Sequence, residues 1–163
     1  MNTAFLLTGG NLGNRLQNLH KAATLIEEKC GIINSISAVY KTAAWGFTEQ
    51  PDFYNQALSI YTLLQPDDLM KTLLAIESEI GRQRSFKMAP RIIDIDILLI
   101  DEMIYQSAIV TIPHPNLAER RFVLTPLAEI AGEIIHPVYR KTINKLLAEC
   151  KDELTVHKIS AEK

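Results

Sequence analysis

The chain has 163 residues, 47% of them hydrophobic, which is enough to fill one core and too little for two ordinary domains. Its formal net charge of −2 and isoelectric point near 6.1 exclude the broadly basic surface of a general nucleic-acid binder. We therefore expect one domain over residues 1–163, a monomer without a nucleic-acid or membrane partner, and weak order after Asp152.

The two cysteines, Cys30 and Cys150, lie far apart and lack metal-ligand spacing. They favour a reducing compartment over a disulfide framework. The apolar run at residues 4–7 is too short for a signal peptide or a membrane span. The expected location is the cytoplasm.

Hydrophobic spacing and turn residues divide the chain into strands and helices. Strands are predicted over residues 3–8, 32–41, 53–62 and 91–100, helices from the turn at 9–13 to Gly31 and from Pro66 to Gly81, a hairpin over 103–112, and short helices over 124–131 and 142–150. The order strand, helix, strand, strand, helix, strand predicts an α+β fold. We expect a ferredoxin-like antiparallel sheet (βαββαβ) with two helices on one face, elaborated by the C-terminal hairpin and short helices.

Two acids, Asp94 and Asp96, interrupt the aliphatic run of the last of these strands. Alternate residues of a strand share a face, so both carboxylates should point the same way, about 7 Å apart, beside Ile92, Leu98 and Ile100. Two like charges so placed bind protons or a cation, and paired oxygen ligands suit Mg²⁺ held alongside a polyphosphate. The alternative is a half-exposed strand whose polar face happens to carry two acids.

Four basic residues lead into that strand: Arg82, Arg84, Lys87 and Arg91. No nearby acid is expected to pair with them, and arginine forks match phosphate oxygens. Because the cluster adjoins the paired aspartates, it predicts one half of a clamp for a metal ion and a polyphosphate. The alternative is an ordinary solvated loop.

A different kind of pocket is indicated by aromatic residues and one amide, among them Trp45, Phe53, Tyr54 and Asn55. Ring stacking, together with an amide that both donates and accepts, suits a flat heterocycle with hydrogen-bonding edges. Each aromatic residue taken alone is better explained as part of a core.

Five motifs, in order along the chain, resemble those of the 6-hydroxymethyl-7,8-dihydropterin pyrophosphokinases of folate biosynthesis. They are GGNLG at 9–13, QPDFYN at 50–55, GR at 81–82, KMAPRIIDIDIL at 87–98 and PH at 113–114. The resemblance covers about residues 3–137, which we take as the core of the domain. It implies a 2-amino-4-hydroxy-6-hydroxymethyldihydropteridine diphosphokinase that transfers pyrophosphate from ATP to the pterin hydroxymethyl group and releases AMP. It also implies two Mg²⁺ ions, with ATP as co-substrate.

The resemblance further implies roles for individual residues. Arg82 and Arg91 are the expected catalytic residues, and Asp94 and Asp96 are the expected metal ligands. The pterin would contact Thr42, Ala43, Ala44, Trp45, Phe53, Asn55 and Phe122, and ATP would contact Glu77, Arg84, Lys87, Met88, Ile97, Thr111, His114 and Arg120.

Gly10, Ala44 and Met88 depart from the pattern of this family, in which serine, proline and, in some relatives, tryptophan stand. These differences bear on substrate affinity more than on the type of reaction. Two other functions stay open at this point, a ferredoxin-like small-molecule-binding module and a metal-dependent phosphohydrolase. The first has no use for paired aspartates, and the second has none for the aromatic pocket.

Overall fold

The computed structural model describes residues 1–43, 50–82 and 90–159. Its elements are β1 (Asn2–Gly10), α1 (Arg15–Lys29), β2 (Ile32–Ile36), β3 (Tyr40–Thr42), β4 (Phe53–Thr62), α2 (Pro66–Ile80), β5 (Asp94–Ile100), β6 (Tyr105–Gln106), β7 (Thr111–Ile112), a 3₁₀ turn (Leu117–Glu119), α3 (Arg121–Ala131), α4 (Ile143–Glu149) and β8 (Val156–Lys158).

Six strands of the described chain form one antiparallel sheet, in the order β5-β1-β4-β3-β8, with β2 also paired to β4. The strands β6 and β7 form the separate hairpin predicted for residues 103–112. The α+β class predicted from the sequence is confirmed. Because β1 lies between β4 and β5, residues near its end neighbour both of those strands.

Helices cover both faces of the sheet. On one face, α1 and α2 pack in a buried cluster with Ala4 and Leu6 of β1. On the other face, α3 and α4 pack in a second cluster with Phe5 and Leu7. We call these the α1/α2 face and the α3/α4 face. Successive residues of β1 contribute to two cores, which explains why this strand is apolar on both sides. Among the helices described, none is both long and apolar enough to cross a membrane.

The ends of the first two helices are fixed by capping residues. At the start of α1, the Asn14 side chain accepts a hydrogen bond from the Gln17 amide (3.1 Å). The second helix begins at Pro66 and is followed by Gly81, whose φ of 122° is a conformation that favours glycine. These are the boundaries predicted from Pro66 and Gly81. Arg82 follows directly, beside β5.

Two segments differ from the sequence prediction. The strand expected over 32–41 is divided into β2 and β3, because the Ser37 hydroxyl replaces a backbone acceptor for the Ala57 amide (2.9 Å). Weak order after Asp152 is wrong for Val156–Lys158, which form β8 beside β3. The chain before β8 is anchored by Arg121, whose guanidinium donates to the Asp152 carbonyl (3.0 Å).

A bulge in β5 changes which of its residues share a face. The register with β1 shifts at Leu98, which is an extra residue in β5. Ile100 therefore packs on the α1/α2 face and not beside the aspartates, as does Ile92, which precedes the strand. Of the three apolar neighbours expected for the aspartates, Leu98 alone lies on the α3/α4 face.

Candidate active site

One row of the sheet brings the two predicted pockets together. Gly9 in β1 is paired with Asp94 of β5 on one side and with Asn55 of β4 on the other. Paired residues point to the same face and neighbouring strands lie about 4.8 Å apart, so Asp94 and Asn55 stand roughly 10 Å apart across Gly9. Leu7 and Ala57, two residues away in β1 and β4, identify this side of the sheet as the α3/α4 face.

Gly9 gives the Asn55 side chain room to lie over β1. A Cβ atom placed on Gly9 would lie 2.0 Å from Asn55 Oδ1. Any side chain there would displace the Asn55 amide, which is only 4% exposed. We call the row Asn55–Gly9–Asp94 the floor of the site. It has an amide on one side and a carboxylate on the other, and the Asn55 amide oxygen lies directly over the glycine.

Asp96 lies on the same face as Asp94 and is paired with Leu7 of β1. Burial disfavours its charged form, and the negative charges of Asp94 and Glu77 add to that effect, so the pKa of Asp96 is raised to about 8. The positive charges of two nearby arginines oppose the shift without cancelling it. The predicted pair of carboxylates is therefore present, in surroundings that favour an additional cation.

Arg82 is paired with acids, contrary to the expectation that none is nearby. Its Nη1 donates to Asp94 Oδ1 (2.7 Å) and to Glu77 Oε1 (2.9 Å). Glu77 is 2% exposed, and its Oε2 accepts a hydrogen bond from the Ile95 amide (2.7 Å) in the edge strand β5. Glu77 therefore joins α2 to the strand that carries the aspartates.

Arg91 connects the carboxylate side of the floor with the aromatic side. Its Nη1 lies 3.5 Å from Asp94 Oδ2, and its guanidinium lies 5.2 Å from the centre of the Phe53 ring. Phe53 precedes Asn55 by two residues in β4, so both side chains are on the α3/α4 face. A single guanidinium is thus placed between the two pockets.

Two buried polar atoms on the Asn55 side, Asn55 Nδ2 and Thr42 Oγ1, have no hydrogen-bond partner among the described residues. Thr42 in β3 is paired with Phe53, so these side chains share a face. A buried polar atom without a partner is costly, and native proteins keep few of them. The polar edge of a ligand on the floor would satisfy both atoms.

His114 and Arg120 lie near the carboxylate side. The His114 amide donates to the Leu98 carbonyl (2.9 Å), and its Nδ1 accepts from the Asn116 amide (3.1 Å). In the neutral ring the proton is therefore on Nε2. Burial and the positive charge of Arg120 lower the pKa of His114, while Asp94 acts in the opposite direction. A neutral imidazole that donates from Nε2 suits an anionic ligand.

The other predicted site residues differ in their exposure and in the face of the sheet on which they lie. Ile97 is buried on the α1/α2 face, so its side chain points away from the aspartates and any contact with ATP would involve its backbone. Thr111 and Ala43 are exposed, while Phe122 is half-buried with the Arg120 guanidinium 5.7 Å from its ring. Ala44, Trp45, Arg84, Lys87 and Met88 lie outside the described residues.

Asn11 borders the site, and Arg15 lies behind it on the α1/α2 face; neither was singled out from the sequence. Asn11 is 2% exposed and hydrogen-bonds both to Arg91 and to the segment before β4. Arg15 donates to the Asp52 carbonyl (2.7 Å), and its guanidinium lies 3.9 Å from the centre of the Tyr54 ring. The place of Asn11 in the GGNLG motif was a usable signal, whereas Arg15 reads as an ordinary helix residue.

The donor set fits Mg²⁺ bound together with a polyphosphate. Asp94 and Asp96 supply hard oxygen ligands, and Mg²⁺ commonly takes one or two carboxylates, with water and substrate phosphates completing its shell. In the part of the chain that the structure describes, no group of three or more His, Cys, Asp or Glu side chains is arranged to hold a metal ion. The raised pKa of Asp96 marks the place where a cation would relieve the unfavourable charge.

The pKa of Asp96 predicts a pH dependence of stability in the ligand-free protein. The usual value is 3.8 and the folded value is about 8, so over this interval the unfolded chain loses a proton that the folded chain keeps. The free energy of unfolding should therefore fall as the pH rises from about 4 to about 8. Asp96→Asn should flatten this fall. Melting temperatures measured across this range without nucleotide or metal test it, and equal slopes for both proteins would contradict it.

Comparison with known proteins identifies the family. The sequence model described as 7,8-dihydro-6-hydroxymethylpterin-pyrophosphokinase (HPPK) matches residues 5–132. The chain belongs to this family. A relative from Aquifex aeolicus, named 2-amino-4-hydroxy-6-hydroxymethyldihydropteridine pyrophosphokinase, is 40% identical over 149 residues, or 91% of this chain and 92% of the relative. A Bacillus subtilis relative of the same name is 36% identical and covers 82% of this chain. The resemblance is confirmed, and the chain is a dihydropterin pyrophosphokinase of folate biosynthesis.

Some longer proteins contain a region similar to this chain. The folic acid synthesis protein FOL1 of Dictyostelium discoideum is 37% identical over 158 residues, which are 97% of this chain and 24% of that protein. The crystal structure of wild-type Plasmodium falciparum HPPK-DHPS with pterin and p-hydroxybenzoate superposes with a TM-score of 0.74 at 17% identity. It covers 91% of this chain and 43% of that one, and at this identity it supports the fold alone.

Proposed function

We propose that the pterin lies on the Asn55 side of the floor and the triphosphate of ATP on the Asp94 side. The observation that carries this proposal is the row Asn55–Gly9–Asp94, which places an amide and a carboxylate on one face, with the Asn55 amide extending over the glycine between them. The backbone separation of roughly 10 Å is short enough for the hydroxymethyl group of a pterin held by the Asn55 amide to meet a phosphate held beside Asp94.

In the proposed reaction the hydroxymethyl oxygen of the pterin attacks the β-phosphorus of ATP. A new O–P bond forms, and the bond from the β-phosphorus to the oxygen that bridges the α- and β-phosphates breaks. AMP leaves with that oxygen, and the hydroxyl proton is released. In such transfers the protein acts mainly by positioning the two reactants and by stabilising the charge that develops.

Asp94 and Asp96 would hold Mg²⁺, two ions when ATP is bound. When bound, the metal neutralises and orients the oxygens of the triphosphate. The raised pKa of Asp96 supports this role, because its carboxylate becomes favourable once a cation is nearby. Glu77 keeps β5 in place on the edge that does not pair with β1, because its carboxylate accepts a hydrogen bond from the Ile95 amide.

Arg82 and Arg91 are the proposed catalytic residues. Both contact Asp94 in the ligand-free site, at 2.7 Å and 3.5 Å. Arg82 Nε is buried without a hydrogen-bond partner among the described residues, so it has a donor left for a phosphate oxygen. Two guanidinium groups held at the carboxylate can stabilise negative charge on the transferred group.

The remaining contacts follow the two sides of the floor. For ATP we propose Glu77, Arg84, Lys87, Met88, Ile97, Thr111, His114 and Arg120, and for the pterin Thr42, Ala43, Ala44, Trp45, Phe53, Asn55 and Phe122. The neutral His114 ring supports the first assignment, and the two buried polar atoms without partners support the second. In the pterin site the ring would stack on aromatic side chains while its polar edge meets the Asn55 amide.

Asn55→Ala should weaken binding of the pterin and leave binding of ATP almost unchanged. A ligand donor or acceptor left unpaired in a closed pocket costs about 1 to 3 kcal/mol, or roughly 5- to 150-fold in affinity. Calorimetry with each ligand separately measures the effect. Asn34→Ala, which removes an exposed amide bonded to Ser59 elsewhere in the sheet, is the control. Equal losses for both ligands would mean that Asn55 is only a structural residue.

We also propose the topology, the cellular location and the oligomeric state of the protein. The sheet order β5-β1-β4-β2 with α1 and α2 on one face supports a ferredoxin-like βαββαβ core within a single domain. The free thiols of Cys30 and Cys150 support a cytoplasmic location. A monomer is the proposed state, since Asn55 and Asp94 of the same chain complete both sides of the floor.

The products of the reaction test the proposed chemistry. Phosphorus NMR of the pterin product should show two coupled phosphorus atoms in a diphosphate ester, with AMP as the nucleotide product. A pterin monophosphate formed together with ADP would overturn attack at the β-phosphorus.

A further inference from the structure

The side chain of Asn11 joins three separate segments of the chain. Its Oδ1 accepts a hydrogen bond from the Arg91 amide (2.9 Å), and its Nδ2 donates to Gln50 Oε1 (2.8 Å) and to the Pro51 carbonyl (3.1 Å). Its backbone amide also donates to the Arg91 carbonyl (2.9 Å). At 2% exposure the amide is completely enclosed, and its acceptor and donor sides serve different segments.

The topology explains why this position can reach both segments. Asn11 follows β1 directly, and β1 lies between β4 and β5. Gln50 and Pro51 lead into β4, which carries Phe53 and Asn55 of the proposed pterin side. Arg91 leads into β5, which carries the aspartates. Asn11 therefore lies where the approaches to the two halves of the site meet.

Gly10 allows the close approach that these bonds require. A Cβ atom on Gly10 would lie 2.2 Å from the carbonyl oxygen of Ile92. Backbone cannot move away as a flexible side chain can, so the end of β1 and the chain at 91–92 are in direct contact. The position of the Arg91 backbone is set by this contact and by the Asn11 side chain, and the Arg91 guanidinium then reaches both Asp94 and Phe53.

We propose that Asn11 is a positioning residue that couples the two substrate sites. It fixes Arg91 relative to the start of β4, so that binding of ATP on one side favours binding of the pterin on the other. The inference rests on the proposed placement of the two substrates. In this proposal Asn11 touches neither substrate but controls the position of one relative to the other. Only an amide of this length supplies both the acceptor and the donor, so neither aspartate nor leucine can replace it.

Asn11→Ala tests the inference, with Asn18→Ala as the matched control. Asn18 is a second buried amide nearby, in α1 and 8% exposed, and its Nδ2 donates to the Leu12 carbonyl (3.3 Å). Among the described residues it has no hydrogen bond to either segment. Calorimetry measures pterin affinity with and without the α,β-methylene analogue of ATP plus Mg²⁺. The ratio of the two affinities is the coupling factor, and couplings of this kind commonly amount to about 5- to 150-fold.

In Asn11→Ala the coupling factor should fall about 5-fold or more, and kcat for AMP formation should fall about 10- to 100-fold through misplacement of the reactants. Affinity for each ligand alone should change by less than about 3-fold, and Asn18→Ala should keep the wild-type coupling and kcat. If Asn11→Ala does not fold, Gln50→Ala, which removes one acceptor of the Asn11 amide, must lower the coupling factor in the same direction.

Three results would overturn the inference: a wild-type protein without coupling, an Asn11 variant with wild-type coupling, or equal effects in the Asn11 and Asn18 variants. None of these is the same as failure of the proposed function, which would show as a wild-type protein that forms no AMP from ATP and the pterin.

Discussion

Asp96→Ala is expected to lower kcat for AMP formation on the order of 10³-fold or more, because it removes one of two carboxylates proposed to hold the metal at the reacting phosphates. The same change should make the ligand-free protein more stable near pH 8, since it removes a charge that burial and two neighbouring acids disfavour. Loss of activity with a gain in stability is an unusual combination, and a residue needed only for folding would not produce it.

Melting temperatures with and without Mg-ATP decide the assignment of Asp96. Wild-type protein should be stabilised by the nucleotide and metal together, and Asp96→Ala should lose most of that stabilisation. Asp67→Ala is the matched control, because Asp67 is a carboxylate that accepts hydrogen bonds from Tyr105 and Ser107 far from the floor. An Asp96 variant that Mg-ATP stabilises as much as wild type would remove Asp96 from the metal site.

Arg82→Ala is expected to lower kcat on the order of 10²-fold, with a change in pterin affinity of less than about 3-fold. The reason is that Arg82 lies at the carboxylate side, bonded to Asp94 and Glu77, and not beside Asn55. Its contribution would be to stabilise charge during transfer, which affects rate more than binding of the second substrate.

Arg82→Lys separates charge from shape at this position. Lysine keeps the positive charge but lacks the planar fork, so its kcat should lie between those of wild type and Arg82→Ala. Steady-state kinetics give kcat and KM, and calorimetry gives the pterin dissociation constant. If Arg82→Ala weakened pterin binding as much as it lowered kcat, the arginine would be acting through the shape of the whole site.

Local sequence signals were sufficient for several elements of the fold. β4 and α2 have the predicted bounds, because regular apolar spacing in each is bounded by clear punctuation, such as Pro66 and Gly81 around α2. By contrast, β8 has three residues and depends on pairing with β3, so its own sequence carries almost no strand signal. The bulge at Leu98 likewise depends on the register with β1 and not on β5 alone.

The placement of residues was predictable where the signal lies in one segment, as for the shared face of Asp94 and Asp96. It was not predictable where the partners are distant in the sequence. Asn11 and Arg91 are 80 residues apart and meet only because β1 lies beside β5. Glu77 was expected at the ATP site from the resemblance, but its bond to the Ile95 amide at 2% exposure has no signal in the helix sequence. Such contacts follow from the sheet order, which periodicity does not determine.

We propose that one floor holds ATP and the pterin together for pyrophosphoryl transfer. The most direct test is AMP formation from Mg-ATP, measured with and without 6-hydroxymethyl-7,8-dihydropterin. We predict AMP in step with consumption of the pterin and no AMP above background in its absence. Orthophosphate release that does not require the pterin, or binding of both ligands without turnover, would contradict the claim.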